Sequence, residues 1–116
     1  QYILHDTDIR SVVNELLASG AEAVSINDER IVSNTAIRCV GPVIMVNNVR
    51  ISTPVVIKAI GDSTGLENAM NMNGGILSEL RYYNFGINVQ KSERIDIAAY
   101  KGNVTFKYLT PAKKEE

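Results

Sequence analysis

Arg30, Arg38 and the run Gly61-Asp62-Ser63-Thr64-Gly65 are the residues whose types and spacing best suit chemistry, and that chemistry is the holding of an anion. A glycine-bracketed polar turn before a helix start offers backbone N–H groups to negative charge, and its glycines permit close approach. A guanidinium on a strand supplies a planar fork for carboxylate or phosphate. The turn lacks the Gly-Lys-Ser/Thr ending of a phosphate loop and the glycine spacing of a dinucleotide turn, so a plain strand-to-helix connection explains it too. For Arg30 and Arg38 the structural account is ion pairing with Glu22 or Glu29.

The remaining reactive side chains are more sparsely placed. His5, Asp6, Asp8 and Glu15 form the one cluster resembling metal ligands or acid/base groups. A lone His without a second His or Cys lacks the usual ligand set, and Asp6 and Asp8 serve equally well at a helix start. Neither a metal nor a cofactor is assigned. The single Cys39 excludes an internal disulfide framework, and alternation puts it on the face of Ile37, where it reads as a small buried hydrophobe. No Ser is joined by a His and an acid at a recognisable spacing, and Ser25 lies in a strand, so no catalytic residue is assigned and the chain reads as a non-enzyme.

These residues must be positioned by the elements around them. Ile9, Val12, Val13, Leu16 and Leu17 recur at helical spacing, with Asp6 or Thr7 as cap and Gly20 as left-handed stop. Tyr2-Ile3-Leu4 before this helix and Ala21 to Ile26 after it read as strands, which makes the opening β-α-β and its crossover right-handed. Asn27-Asp28 turns the chain into Arg30-Ile31-Val32. Thr35 to Val40, Val43 to Val46 and Val49 to Ile51 form a meander turned at Gly41-Pro42 and Asn47-Asn48. Val55 to Ile60, the most continuously apolar run, predicts a central strand beginning after Pro54. Thr64 and Glu67 are spaced as a capping box for a short helix that Asn73-Gly74-Gly75 stops. Ile76, Leu77, Leu80 and Tyr83 predict a further helix, and Ile87 to Lys91, Arg94 to Ala98 and Val104 to Tyr108 predict closing antiparallel strands.

The fold class that follows is α+β: a mixed, largely antiparallel sheet with two to three helices packed on it, around a ferredoxin-like or split β-α-β core. Residues 1–109 make one domain, and 110–116, without an apolar face, make a C-terminal tail. At 116 residues and 45% hydrophobic, the chain has material for one real core. Twelve Lys plus Arg against 13 Asp plus Glu, without a basic block, give no support for nucleic-acid binding. No apolar run approaches the ~18 to 20 residues that a membrane helix needs.

The runs ILHDTDIRSVVNELLASGAEAVSINDERI, TAIRCVGPVIMVNNVRI, TPVVIKAIGD and GGILSEL resemble the bacterial domain-of-unknown-function family 881, the YlxW/YlxX-like proteins. NEL, GAEA, SIN, RI, IRC, VNN and AIGD occur in the expected order over nearly the whole chain. The resemblance implies an upstream membrane anchor and coiled coil, a domain on the extracytoplasmic side of the bacterial cell membrane, and genes near those of cell division or sporulation. It carries no catalytic or binding residues onto this sequence. A start at Gln1 in place of Met fits an anchor lying upstream, and a trimmed start fits equally. The expected function is a non-enzymatic interaction or scaffold domain with protein partners or self-association, touching membrane only through that anchor. The alternative is a sensor of a small anionic ligand at Gly61 to Gly65 with Arg30 or Arg38.

Overall fold

The computed structural model describes residues 3–83 and 85–102. Helix α1 (Asp6–Ala18) buries Ile9, Val12, Val13 and Leu16, as the spacing predicts. Leu17 is 45% exposed. At 100° per residue it lies about 80° round from Ile9, on the rim of the buried stripe. The cap is His5 and not Asp6 or Thr7: Asp8, at the third helical position, accepts the His5 backbone N–H at 2.9 Å. Gly20 closes the helix at φ +102°, which a side chain would resist.

Two three-stranded antiparallel sheets follow. In the first, β1 (Ala23–Ile26) lies between β2 (Glu29–Arg30) and β6 (Ile57–Ile60). Ser25 faces Arg30 on one side and Lys58 on the other. In the second, β3 (Ile37–Val40), β4 (Val43–Val46) and β5 (Val49–Ile51) form the expected meander, with Arg38, Met45 and Arg50 in one cross-strand row. The expected single sheet is thus divided into two within the α+β class. Ile3 to His5 form no strand, so α1 opens the described chain and every strand pair is antiparallel; Tyr2 lies outside the described residues. The run ending in β6 lies at a sheet edge, because β1 occupies the centre.

Asn27 and Asp28 have φ of 46° and 70°, and Asn47 and Asn48 have 53° and 64°. Paired positive φ values in two-residue loops match the right-handed twist of the flanking strands, and Asn tolerates this region better than other side chains. Each leading Asn also ties one sheet to chain beyond its own hairpin. The Asn27 amide donates to Ser52 O at 2.8 Å and accepts from the Val56 N–H at 2.6 Å. The Asn47 amide donates to Arg30 O at 2.9 Å and to Glu29 Oε1 at 3.4 Å. The first sheet is therefore tied to the β5–β6 connection, which contains a cis Thr53–Pro54 peptide, and the β4–β5 turn is tied to β2.

Helix α2 (Ser63–Met70) buries Leu66 and Met70, and α3 (Ile76–Tyr82) buries Leu77 and Leu80. Tyr83, predicted on the buried stripe, ends α3 and is 43% exposed. Both helices pack on α1, which also lies against β1 and β3. One core results, drawing Val24 and Ile26 from the first sheet and Ile37 and Val46 from the second. Ile87 to Lys91 and Arg94 to Ala98 run without strand pairing. Their alternation nevertheless shows in burial, since Ile87, Val89, Ile95 and Ile97 are half-buried while Asn88, Gln90 and Asp96 are exposed. Val104 to Tyr108 and the tail 110–116 lie outside the described residues.

Candidate functional site

At the start of α2, Gly61 passes close to the α1–β1 turn. A Cβ there would lie 3.0 Å from Gly20 O and 3.3 Å from the Ala21 Cα, so this position requires the missing side chain. Asp62 caps the helix, in place of the predicted Thr64 and Glu67 box: its carboxylate accepts the Gly65 N–H at 3.2 Å. A Cβ on Gly65 would meet that carboxylate at 2.8 Å, which explains the second glycine. Lys91 donates to Thr64 Oγ1 at 3.3 Å and lies 3.9 Å from Glu67 Oε1. The chain's own carboxylate already occupies the place where an anion would gain from the helix N-terminus.

Arg30 and Arg38 lie elsewhere. Gly61 follows Ile60, the partner of Ala23, whereas Arg30 pairs with Ser25 on the far strand of the same sheet. That places Arg30 about 10 Å across and at least as far along the strands from the loop. Arg38 belongs to the other sheet and donates to Asn48 Oδ1 at 3.0 Å. The predicted ion pairs with Glu22 or Glu29 do not form among the described residues, where the ion-paired Lys and Arg side chains are Arg10, Lys58, Lys91 and Arg94. Glu29 instead accepts from Asn47. The structure thus groups Gly61 to Gly65 with Lys91, and leaves Arg30 and Arg38 on separate strands.

The His5, Asp6 and Asp8 cluster is divided between two tasks. Asp8 caps α1. Asp6 lies 3.3 Å from Arg10, and the pair reaches across to the outer edge of β3, where Arg10 donates to Ile37 O and the Asp6 carboxylate faces the Cys39 backbone and thiol. Partial burial alone would raise the Asp6 pKa. The nearby Cys39 thiol and backbone, the Arg10 guanidinium and the Thr7 backbone outweigh it and hold the carboxyl below its ordinary value. Cys39 is exposed, not buried as its alternation with Ile37 suggests, because the core ends short of this half of β3. Among the described residues no three His, Cys, Asp or Glu side chains converge as a metal-ligand set.

The four sheet edges are unequally covered. Arg10 occupies the outward Ile37 carbonyl of β3, with Asp6 beside Cys39 on the same edge, and Asn47 occupies the outward Arg30 carbonyl of β2. On β5, the two-residue turn makes Val46 and Val49 the hydrogen-bonded pair, so the Arg50 N–H and C=O point away from β4. Neither group, nor the Arg50 guanidinium, is hydrogen-bonded or ion-paired among the described residues. Two open recesses of about 520 Å³ each flank this strand, and Arg50 and Ser52 line both. One is of mixed polarity, with Leu4, Ile51, Val55 and Phe85 among its walls beside Ser52 and Thr53; the other holds Asp28 and Lys58. Sequence reasoning passed over Arg50, although the Asn47-Asn48 turn length alone determines which way its backbone points.

Residues 1–110 match the family described as "Bacterial protein of unknown function (DUF881)". Similar proteins include UPF0749 protein YlxW of Bacillus subtilis, 35% identical over 83% of this chain and 42% of the relative. UPF0749 protein Rv1823 of Mycobacterium tuberculosis is 36% identical over 85% of this chain and 33% of the relative. The chain therefore spans between a third and just over two fifths of these relatives. Among solved structures, an uncharacterized conserved protein from Mycobacterium tuberculosis superposes with a TM-score of 0.80 at 32% identity, covering 94% of this chain and 79% of that one.

Proposed function

We propose that this chain, which belongs to the DUF881 family of bacterial proteins, is a non-enzymatic interaction or scaffold domain on the extracytoplasmic side of the membrane. Its anchor would lie upstream in the full-length protein, and its role in cell division, sporulation or another envelope process. The observation that carries the reading is how the polar side chains are used. Asp8 and Asp62 cap helices, Asn27 and Asn47 tie the sheets, and Asp6 and Arg10 cover a strand edge. What they leave open is a strand edge beside two recesses, which suits a partner better than a reaction. The modest share of the relatives' length that the chain spans also suits a module working alongside other segments.

The test is the topology of the full-length protein in intact cells. A protease added outside wall-stripped cells should degrade the domain while sparing a cytoplasmic marker; a domain protected until the cells are lysed overturns the placement. The alternative, a small-anion sensor at Gly61 to Gly65, is favoured by the Lys91 ammonium beside Thr64 and requires Asp62 to release the Gly65 N–H. Saturating phosphate or nucleotide at about a hundredfold over its Kd would then stabilise the chain by about 2.7 kcal/mol. No thermal shift with any such ligand removes it.

A further inference from the structure

We propose that β5 is a docking edge for an extended peptide carrying an acidic residue between two apolar ones, which adds as a fourth strand to the β3-β4-β5 sheet. The inference deepens the interaction-domain reading and rests on it, since it names the surface and the chemistry of the partner. Three features converge on Arg50. Its backbone N–H and C=O both point out of the sheet without partners among the described residues. The same is true of its exposed guanidinium. Both recesses adjoin it, so space lies beside the strand where a further strand would run.

The register then dictates the partner. A residue placed opposite Arg50 exchanges both backbone hydrogen bonds with it, at a Cα separation of about 5.5 Å. Its side chain falls on the sheet face that carries Arg38, Met45 and Arg50, where a carboxylate meets a guanidinium that has none. The residues before and after it face the other way, on the side of Ile51 and the recess lined by Leu4, Val55 and Phe85, which takes apolar side chains. A second copy fits less well. Two β5 strands paired antiparallel about Arg50 set guanidinium against guanidinium on one face, and directly opposed like charges are destabilising. Two of the other edges are already engaged, since β3 spends its outward Ile37 carbonyl on Arg10 and β2 its outward Arg30 carbonyl on Asn47; β5 differs from the remaining edge, β6, in adjoining both recesses with an unpaired Arg50.

The probe is the capped peptide Ser-Val-Thr-Val-Glu-Val-Thr-Val-Ser, compared with its counterpart bearing Lys at the centre. On titration into the whole chain, followed by amide NMR, the Glu peptide should bind at least tenfold more tightly than the Lys peptide. The Arg50 N–H should slow its exchange with solvent at least tenfold. Arg50→Glu, a substitution at an exposed position, should leave the fold's amide spectrum intact elsewhere and reverse the preference. Equal affinity for the two peptides, no binding at millimolar concentration, or Arg50 protection that rises with protein concentration without peptide each overturn the proposal, the last in favour of self-pairing. The titration is blind to cellular compartment. Loss of selectivity in a protein found outside the cytoplasm rejects this site alone, whereas charge-reversed binding by a cytoplasmic protein rejects only the placement.

Discussion

Replacing Asn47 by glycine isolates the tie between the two sheets. Asn47 and Asn48 share one turn and both have positive φ, 53° and 64°, so glycine at either site brings the same backbone trade. It relieves left-handed strain and adds freedom to the unfolded chain, each worth about 0.5 to 1 kcal/mol. What differs is the side chain removed. Asn48 accepts one exposed hydrogen bond from Arg38, a contact worth a few tenths of a kcal/mol by the standard of exposed polar pairs. Asn47 donates to Arg30 O and Glu29 Oε1 from a half-buried position. Losing it leaves the Arg30 carbonyl short of its donor, a cost of ~1 to 3 kcal/mol, offset in part because the Asn47 Oδ1 removed with it is itself buried without a partner among the described residues. The expected difference between Asn47→Gly and Asn48→Gly is therefore about 1 to 2 kcal/mol, at about 4 °C in Tm for each kcal/mol in a domain of this size. Urea unfolding at constant m-value measures it. If the two variants unfold within about 0.5 kcal/mol of each other, the side-chain tie is not what holds the sheets together.

Ile26 of β1 is fully buried in the core, so Ile26→Ala should cost about 2 to 5 kcal/mol in the same unfolding assay; a loss below about 1 kcal/mol would mean the site collapses around the gap. Asp6 has a depressed pKa, so its carboxylate stabilises the fold above its ordinary value of 3.8, and that contribution is lost as pH falls through the lower folded value. The stability gap between wild type and Asp6→Asn should accordingly be widest near neutral pH and narrow in acid; a gap unchanged down to the acid limb refutes the Asp6 role at the β3 edge. Cys39 is exposed and should react fully with a thiol reagent in native buffer, whereas labelling that waits for denaturant would place it in the core.

Local chemistry was the legible part of this chain. The α1 stripe, Gly20 as its stop, and the Asn27-Asp28 and Asn47-Asn48 turns follow from spacing and positive-φ tolerance, both of which are properties of a few adjacent residues. What escaped was whatever depends on where the core ends. Alternation correctly puts Cys39 on the side of Ile37, yet only Ile37 is buried in the core, and no local pattern encodes how far the core reaches along a strand. Ile87 to Lys91 failed in a related way: the period of two reports which side chains turn inward, and carries no information on whether a neighbouring backbone supplies a ladder. The continuous apolar character of Val55 to Ile60 suggested a strand flanked on both sides. Its neighbour β1 has that place, being buried on both faces down to Ser25, whose hydroxyl is shut in without a partner among the described residues. For the candidate site, Gly61 to Gly65 was recognisable as a strand-to-helix turn, while the capture of its anion position by Asp62 was a matter of one rotamer.

The paired asparagine ties bear on how the molecule comes apart. Each sheet has three strands of two to four residues, too few to persist alone. Since Asn27 holds the chain leading into β6 and Asn47 holds β2, neither sheet can open at its turn without disturbing the other. Both halves should melt in one step, and their slowest-exchanging amides should share a single opening free energy.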